Sequence, residues 1–388
     1  DTAFPVPQDQ TILNIFKEQV EKTPDAIALI YEHQKLTYRE LDEKSNQLAN
    51  YLIAVGVEEK SFVGICISRS IEMIIGIIGI LKSGNAYIPI DPSYPAERIA
   101  YMIEDSGIQV VVSSRLDAHL VSSPKIIQKV LLDDDWAKIN AYPMHSTSVH
   151  VMPDTTAYVI YTSGTTGKPK GVEVGHASLY NISLSWEKEF ELDSNTRLLQ
   201  MASFSFDAFT GDVCRSLLFG GQMIICSNDI RFDLEGLYAL IAERKTNVIE
   251  LTPSLGVPLM DHIYDNKLDF SWVKILNLGS DTCSSIDFQR IQRRFGDQFR
   301  IINSYGVTEV TVDSSYYEIK DPAYLDDLTN VPIGKPMQNT CFYIVDPALN
   351  LLPVGVVGEL CIGGAGLAKG YLNLSLIHIS EPTRHGLI

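Results

Sequence analysis

The sequence predicts an α/β fold with two layered, mostly parallel sheets joined by crossover helices, together with a small β-barrel-like subdomain. Short β-branched and aromatic runs alternate with longer helical patterns over the first 310 of the 388 residues. From about residue 311 closely spaced strand patterns are broken by prolines and glycines, which indicates a β-rich segment. The predicted organisation is a linker at 1–10, α/β subdomains at 11–150 and 151–310, a β-rich subdomain at 311–374 and a separate tail at 375–388.

The first α/β subdomain has clear helix signals. Thr37 and Glu40 predict a capping box at the start of one helix. Residues 71–81 are apolar on all sides, which predicts a buried helix, and Pro95 and Gly107 bound a further helix. Strand patterns separate these helices at 26–31, 62–67, 86–91 and 108–113.

The second α/β subdomain repeats the same alternation. Helical patterns at 234–244 and 284–295 fill two of the gaps between its strands. The strand patterns lie at 198–202, 222–226, 248–251, 275–278 and 301–304. Strands joined by helices pair in parallel, so we expect a second parallel sheet here.

Composition excludes several classes of protein. The formal net charge of −17 argues against nucleic acid or an anionic membrane as the main partner. The six cysteines show no CxxC or comparable spacing, which favours reduced thiols in a cytoplasmic protein. The most apolar run, 71–81, is too short to span a bilayer and contains Glu72. Any polyanionic ligand must therefore be held by local positive charge.

Residues 157–172 combine a strand pattern with a loop of glycine, serine, threonine and lysine. Such a loop lets backbone N–H groups converge on an anion, with hydroxyls and lysines adding donors and charge. It is not a P-loop, because only two residues separate Gly164 from Gly167 and Pro169 follows Lys168. Pro169 also disfavours a helix at this point. The loop therefore indicates a phosphate site, with an ordinary surface loop as the alternative.

Residues 303–309 follow a predicted strand, which is the usual mouth of an α/β site. Tyr305 offers an aromatic face to a purine, and Thr308 offers a hydroxyl to the α-phosphate. Glu309 supplies a hard oxygen ligand for Mg²⁺. A turn with a surface glutamate is the alternative interpretation.

Several runs resemble the motifs of adenylate-forming (AMP-binding) enzymes, specifically the amino-acid adenylation domains of nonribosomal peptide synthetases. The matching runs are 157–172, 81–91, 303–309 and 358–372, the last of which we interpret as structural. Val307 departs from the pattern because it stands where proline is usual. The resemblance extends from about residue 11 to 373. Relatives continue with a small mobile lid that residues 375–388 do not resemble, so we expect only the large N-terminal body and an artefactual or disordered tail.

The resemblance implies a ligase that activates an amino acid with ATP and Mg²⁺. The amino-acid carboxylate attacks the α-phosphate, giving aminoacyl-adenylate and pyrophosphate. The aminoacyl group then passes to the phosphopantetheine of a carrier domain, with carrier and condensation domains as partners in antibiotic biosynthesis. Two alternatives are a lidless, non-catalytic fragment that binds amino acid and nucleotide, and a stand-alone acyl- or aryl-CoA ligase.

The resemblance also implies roles for individual residues, with Glu309 as the metal ligand. The implied catalytic residues are Thr162, Lys170, Thr308 and Glu309. The implied nucleotide-binding residues are Thr162, Ser163, Gly164, Thr165, Thr166, Gly167, Lys168, Gly279, Asn303, Ser304, Tyr305, Gly306 and Thr308. The implied amino-acid-binding residues are Asp207, Ala208, Gly211, Glu250, Leu276, Leu278, Ser304, Val312 and Asp313.

The acidic positions in this set indicate a basic substrate. Asp207 is the expected partner of the α-ammonium, because a nearby cation keeps a carboxylate ionised. Glu250 and Asp313 lie in apolar, strand-like settings, where an unpaired carboxylate is costly. We therefore expect them to pair with the side chain of ornithine or lysine. The alternative is that an internal arginine or water satisfies each acid.

Overall fold

The computed structural model describes residues 2–163 and 168–374. The helices are α1 Ile12–Lys22, α2 Tyr38–Ala54, α3 Ile71–Lys82, α4 Ala96–Ser106, α5 Trp136–Ile139, α6 His176–Glu189, α7 Asp207–Leu217, α8 Leu234–Arg244, α9 Pro253–Asp265 and α10 Ser285–Phe295. The first strands are β1 Ile27–Tyr31, β2 Gln34–Thr37, β3 Phe62–Cys66, β4 Ala86–Pro89, β5 Val110–Ser113, β6 Gln128–Leu131, β7 Thr156–Thr162, β8 Lys170–Gly175 and β9 Arg197–Gln200. The later strands are β10 Gln222–Ile225, β11 Val248–Leu251, β12 Ile275–Leu278, β13 Arg300–Tyr305, β14 Ser315–Glu318, β15 Lys335–Pro336, β16 Thr340–Val345, β17 Glu359–Gly364 and β18 Gly370–Tyr371.

Two large sheets carry the fold. The seven-stranded sheet has the order β18-β8-β7-β4-β3-β5-β6, and β3 to β7 pair in parallel within it. The nine-stranded sheet has the order β15-β14-β13-β12-β11-β9-β10-β1-β2 and is antiparallel only toward its two edges. The central strands are almost entirely buried, as expected for parallel strands covered on both faces. The predicted α/β architecture with two mostly parallel sheets is confirmed.

The helix-capping and helix-ending residues lie at the positions that the sequence predicts. The Glu40 amide donates to Thr37 Oγ1 at 3.2 Å, and the Thr37 amide donates to Glu40 Oε2 at 2.8 Å, which completes the capping box of α2. The helix α3 is buried along nearly its whole length. Gly107 ends α4 in the left-handed conformation, with φ 65°.

The sheets do not divide near residue 150. Strands β1 and β2 pair with the nine-stranded sheet of the second half of the chain, and β7 and β8 complete the seven-stranded sheet of the first half. Which distant strands pair is determined by tertiary packing, and the local sequence patterns do not predict it. The predicted subdomains 11–150 and 151–310 are therefore interleaved through their sheets.

The described residues 311–374 form no closed barrel, in contrast to the barrel-like subdomain expected from the sequence. Strands β14 and β15 extend the nine-stranded sheet, and β18 extends the seven-stranded sheet. Only β16 and β17 form a separate two-stranded sheet. The exposed N–H and C=O groups of an open sheet edge are satisfied by an added strand, which explains why these strands join the larger sheets.

The described residues hold no helix that is long and apolar enough to cross a membrane. All six cysteines lie in the described ranges and are free thiols. Within residues 2–163 and 168–374, no group of three or more His, Cys, Asp or Glu side chains has the arrangement of a metal site. A metal in this part of the chain would need further ligands from a bound molecule or water.

Candidate nucleotide and amino-acid site

The candidate residues gather at one edge of the nine-stranded sheet. Strands β11, β12 and β13 run parallel, so their carboxyl ends at Leu251, Leu278 and Tyr305 lie side by side. The turn Thr308–Val310 follows β13 directly. Ligands of open α/β sheets bind outside the carboxyl ends of the strands, which makes this edge the candidate site.

The predicted phosphate loop connects the two strands of a hairpin. Thr162 at the end of β7 pairs with Lys170 at the start of β8, so the loop returns into a strand and not into a helix. Ser163 and Lys168 are exposed on either side of the loop. The tip, which contains Gly164, Thr165, Thr166 and Gly167, lies outside the described residues. The structure therefore defines the base of the loop.

Residues 365–372, here called the linking segment, connect this hairpin to the 303–309 motif. The Ala368 amide donates to the Glu309 carbonyl oxygen at 2.9 Å, and the Leu372 amide donates to the Gly171 carbonyl oxygen at 2.7 Å. Thr311 Oγ1 donates to the Gly366 carbonyl oxygen at 2.7 Å. The glycine-rich 358–372 motif thus ends between two candidate nucleotide-binding motifs.

Tyr371 in the linking segment contacts two predicted catalytic residues. Its hydroxyl donates to Glu309 Oε1 at 2.7 Å, and Lys170 Nζ lies 5.1 Å from the centre of its ring. Burial, followed by the hydrogen bond to Glu309 and the negative charge of that residue, raises the pKa of Tyr371 above its ordinary value. The sequence does not reveal this residue, because an aromatic side chain in a structural motif carries no sign of its distant partner.

Asp207 and Thr308 come together at the start of α7. Burial raises the pKa of the Asp207 carboxyl, while hydrogen bonds from the Thr308 hydroxyl and the Ala208 amide act in the opposite direction. The negative charges of Glu309 and Glu250 raise it further. The predicted ammonium partner and the predicted phosphate partner thus lie close enough to influence each other electrostatically.

Glu250 and Asp313 share an internal partner that the sequence analysis considered only as an alternative. Arg215, whose side chain is 1% exposed, pairs with Glu250, with Asp313 at 3.4 Å and with Asp212 at 3.7 Å. Burial raises the pKa of Asp313 to about 7, although Arg215 opposes this shift. The spacing 207, 211 and 215 places Asp207, Gly211 and Arg215 on one face of α7, which is the signal that could have revealed this arginine.

The Trp186 indole and the space beside Gly211 complete the surroundings of Arg215. Its guanidinium lies 4.5 Å from the centre of the Trp186 ring, and Trp186 Nε1 donates to Asp313 Oδ2 at 2.8 Å. A Cβ atom on Gly211 would lie 2.6 Å from Arg215 Nη2. The space left by Gly211 is therefore filled by this guanidinium, and it is not available to a substrate.

The predicted pocket positions Leu276 and Leu278 lie elsewhere. Both leucines are fully buried in the hydrophobic core. Between them, Asn277 Nδ2 donates to Glu250 Oε2 at 3.0 Å and to Ser304 Oγ at 2.9 Å. Side chains alternate between the two faces of a strand, so neighbouring residues point in opposite directions, one toward the core and the next toward the site. The assignment of Leu276 and Leu278 to the acidic pocket is wrong, and Asn277 occupies that face.

The loop after Thr308 approaches the site with an uncommon backbone. Thr311 and Val312 have φ values of 60° and 68°, although neither is glycine. Left-handed conformations are costly for β-branched residues and persist only where the surroundings enforce them. This turn brings the Val312 carbonyl oxygen against Gly306, where a Cβ atom would clash with it. Asp313 thereby reaches Arg215, and Val312 lies beside Gly211.

Other predicted residues have local partners. Asn303 Nδ2 donates to the Pro332 carbonyl oxygen at 3.2 Å. Gly279 lies beside Ser304, whose Oγ would be 2.5 Å from a Cβ atom at that position. Tyr305 is half-buried, and burial raises the pKa of its hydroxyl. These residues border the site, with Tyr305 as the aromatic surface closest in sequence to Thr308.

The family described as AMP-binding enzyme matches residues 16–372. This chain belongs to the AMP-binding enzyme family. Tyrocidine synthase 3 of Brevibacillus parabrevis is 48% identical over 373 residues, which is 96% of this chain and 6% of that protein. Gramicidin S synthase 2 of Brevibacillus brevis is 49% identical over 361 residues, which is 92% of this chain and 8% of that protein. The chain thus spans a small fraction of these relatives.

Solved structures extend this family relationship to the fold. The nonribosomal peptide synthetase FmoA3 matches with a TM-score of 0.87 and 28% identity, covering 96% of this chain and 39% of that one. An artificially fused adenylation–PCP di-domain, NpsA-ThdA from Klebsiella oxytoca, matches with a TM-score of 0.83 and 26% identity, covering 95% and 71% of the two chains. The resemblance to adenylation domains of nonribosomal peptide synthetases is confirmed.

Proposed function

We propose that this member of the AMP-binding family activates an amino acid with ATP, giving aminoacyl-adenylate and pyrophosphate. The observation that carries the proposal is that Tyr371 joins Glu309 of the 303–309 motif to Lys170 at the base of the phosphate loop. Asp207, the proposed partner of the α-ammonium, lies close enough to Thr308 and Glu309 for both to affect its pKa. Transfer of the aminoacyl group to the phosphopantetheine of a carrier domain, beside a condensation domain, would follow in the longer synthetase.

The nearness of Asp207 and Thr308 suggests how substrate and nucleotide binding depend on each other. The Thr308 hydroxyl has one proton to donate. An α-ammonium would satisfy Asp207 directly, so the Thr308 proton would be available to a phosphate oxygen. The carboxylate of the amino acid could then attack the α-phosphate with its ammonium already held. The protein would contribute positioning and charge stabilisation, with no covalent intermediate on a side chain.

The basic groups at the hairpin would hold the phosphates. Lys170 lies at the base of the loop opposite Thr162, and Lys168 is exposed beside the tip. Their charges would offset the overall negative charge of the protein. The residues of the loop, together with Tyr305 for the purine, form the proposed nucleotide site.

Glu309 fits the role of a Mg²⁺ ligand. Mg²⁺ is commonly held by one or two carboxylates together with substrate phosphates and water, so a single acid suffices. One carboxylate oxygen of Glu309 accepts the hydrogen bond from Tyr371, and no other hydrogen bond to this carboxylate occurs within the described residues. When bound, Mg²⁺ would neutralise negative charge on the phosphates.

We also propose that the amino acid is basic, with ornithine or lysine as candidates. Asp207, Asp212, Glu250 and Asp313 bring four carboxylates to the site, while Arg215 supplies one guanidinium. Arg215 therefore pairs with three of these acids but does not balance the negative charge of all four. Burial raises the pKa of Asp313 to about 7 even with Arg215 beside it, so the guanidinium does not fully offset the cost of ionising this carboxyl. A substrate ammonium would supply the missing charge.

Amino-acid-dependent ATP–pyrophosphate exchange tests both the proposed adenylation and the proposed basic substrate. We expect exchange with ornithine or lysine and little with leucine or phenylalanine, and we expect Asp207→Asn to abolish it. Calorimetric titration of the same amino acids should show the same order of affinity. A preference for leucine or phenylalanine would contradict the basic substrate while leaving adenylation intact.

The same assays distinguish the alternative functions. Binding of amino acid and ATP without exchange would indicate a binding fragment that does not catalyse the reaction. If the protein were an acyl- or aryl-CoA ligase, it would activate aromatic or fatty acids that lack an α-amine at least as efficiently as it activates amino acids. In that case Asp207→Asn would leave the activation of those acids unchanged.

A further inference from the structure

Tyr371 joins three segments that are far apart in the chain. It lies in the linking segment, its hydroxyl donates to Glu309 Oε1 at 2.7 Å, and its ring lies under Lys170 with Nζ 5.1 Å from the ring centre. Glu309 and Lys170 are the residues proposed above for the metal and the phosphates. One side chain thus contacts both.

The backbone around Tyr371 holds it in this place. Tyr371 pairs with Val172 of β8, in register with the strand that begins at Lys170. Three residues earlier, the Ala368 amide donates to the Glu309 carbonyl oxygen at 2.9 Å. Backbone hydrogen bonds therefore attach the linking segment to Glu309 and to the strand that begins at Lys170. The side chain has little freedom to leave Glu309.

The hydrogen bond distinguishes the two oxygens of the Glu309 carboxylate. Oε1 accepts the hydroxyl proton of Tyr371, whereas within the described residues no hydrogen bond reaches the second oxygen. A carboxylate held through one oxygen cannot rotate freely, so the direction of its other lone pairs is defined. Such outer partners commonly orient metal ligands and increase metal affinity.

We propose that Tyr371 is a positioning residue that orients Glu309 toward Mg²⁺ and keeps Lys170 at the base of the phosphate loop. The inference rests on the proposed function, because it takes Glu309 as the Mg²⁺ ligand. The hydroxyl acts on Glu309 and the ring acts on Lys170. The two contributions are therefore separable by substitution.

Calorimetric titration of the whole chain with ATP, with and without MgCl₂, tests the proposal without requiring turnover. We expect Tyr371→Phe to retain the Mg²⁺-free affinity for ATP, because phenylalanine keeps the ring under Lys170. The gain in affinity that Mg²⁺ provides should fall about tenfold. Tyr371→Leu removes the ring as well, so its Mg²⁺-free affinity should also fall, by about threefold.

Two further variants separate the possible outcomes. Glu309→Gln should lose the Mg²⁺-dependent gain, and adding Tyr371→Phe to it should cause no further loss, since the hydroxyl would act through Glu309. Tyr238→Phe is the matched control, because it removes a hydroxyl of a tyrosine on α8 that donates to the Asp269 carbonyl oxygen. Thermal melting of every variant verifies that it is folded.

Each result then has one meaning. An unchanged Mg²⁺-dependent gain in Tyr371→Phe, with a large loss in Glu309→Gln, would overturn the role of Tyr371 and leave the proposed function standing. Equal weakening of ATP binding with and without Mg²⁺ in Tyr371→Phe would also overturn it. No effect of Mg²⁺ on the wild-type protein, or none of Glu309→Gln, would instead contradict the assignment of Glu309 on which the inference rests.

Discussion

Replacement of Arg215 by methionine should strongly destabilise the protein. The guanidinium is 1% exposed and is the shared partner of Asp212, Glu250 and Asp313. Methionine fills a similar volume but leaves these buried carboxylates without their cation. Removing one partner of a buried ion pair costs about 3–5 kcal/mol, so we expect the free energy of unfolding at pH 8 to fall by about 4 kcal/mol.

The size of this loss should depend on pH. Without Arg215 the folded-state pKa values of Asp212 and Asp313 will rise further, because burial already raises them and Arg215 opposes that rise. The folded variant then binds more protons than its unfolded chain, so its stability falls as pH rises through these raised pKa values. The difference from wild type should therefore be smaller at pH 5.5 than at pH 8.

Urea unfolding at both pH values measures the effect. Arg293→Met is a suitable control, since Arg293 is 60% exposed and forms a 3.9 Å surface pair with Asp326, which should be worth less than about 1 kcal/mol. Adding Glu250→Gln to Arg215→Met should recover part of the loss by removing one unpaired charge. A loss below about 1 kcal/mol at pH 8, or an equal loss at both pH values, would refute the reasoning.

Two further predictions concern other buried positions. Gly306→Ala should lower the free energy of unfolding by about 3 kcal/mol and disturb nucleotide binding, because the new Cβ would clash with the Val312 carbonyl oxygen. Urea titration should show little change for the control Gly363→Ala, whose Cβ would meet only a side-chain atom at 3.5 Å. His176 is buried and its pKa is lowered to about 4. The unfolded chain takes up this proton first, so stability should fall by about 3 kcal/mol between pH 6.5 and pH 4. His176→Gln should lack this part of the pH dependence, and an identical pH profile would contradict the assignment.

The sequence by itself determined the local elements and the chemical types of the site. The capping box at Thr37 and Glu40 and the end of α4 at Gly107 depend on neighbours within a few residues, so the pattern is sufficient to predict them. The hairpin loop rich in glycine and lysine and the 303–309 motif were visible for the same reason. Their match to known motifs located the proposed chemistry before any contact was known.

The tertiary structure decided which distant segments meet. Pairing of β1 and β2 with the second sheet, and the absence of a closed barrel among residues 311–374 of the described chain, follow from the satisfaction of open sheet edges. Asn277 faces the site, and Leu276 and Leu278 face the core, because side chains alternate between the two faces of a strand. An assignment shifted by one position therefore names the residues of the opposite face.

The partners of buried charged residues likewise cannot be predicted from the local sequence. Glu250 and Asp313 are recognisable as acids in apolar runs, but their cation, Arg215, belongs to another segment. Tyr371 likewise reaches Glu309 from 62 residues away. Local periodicity predicts how each segment folds, whereas the partner of a buried charge is fixed only when the segments pack. The pairing at the site is therefore a property of the tertiary structure.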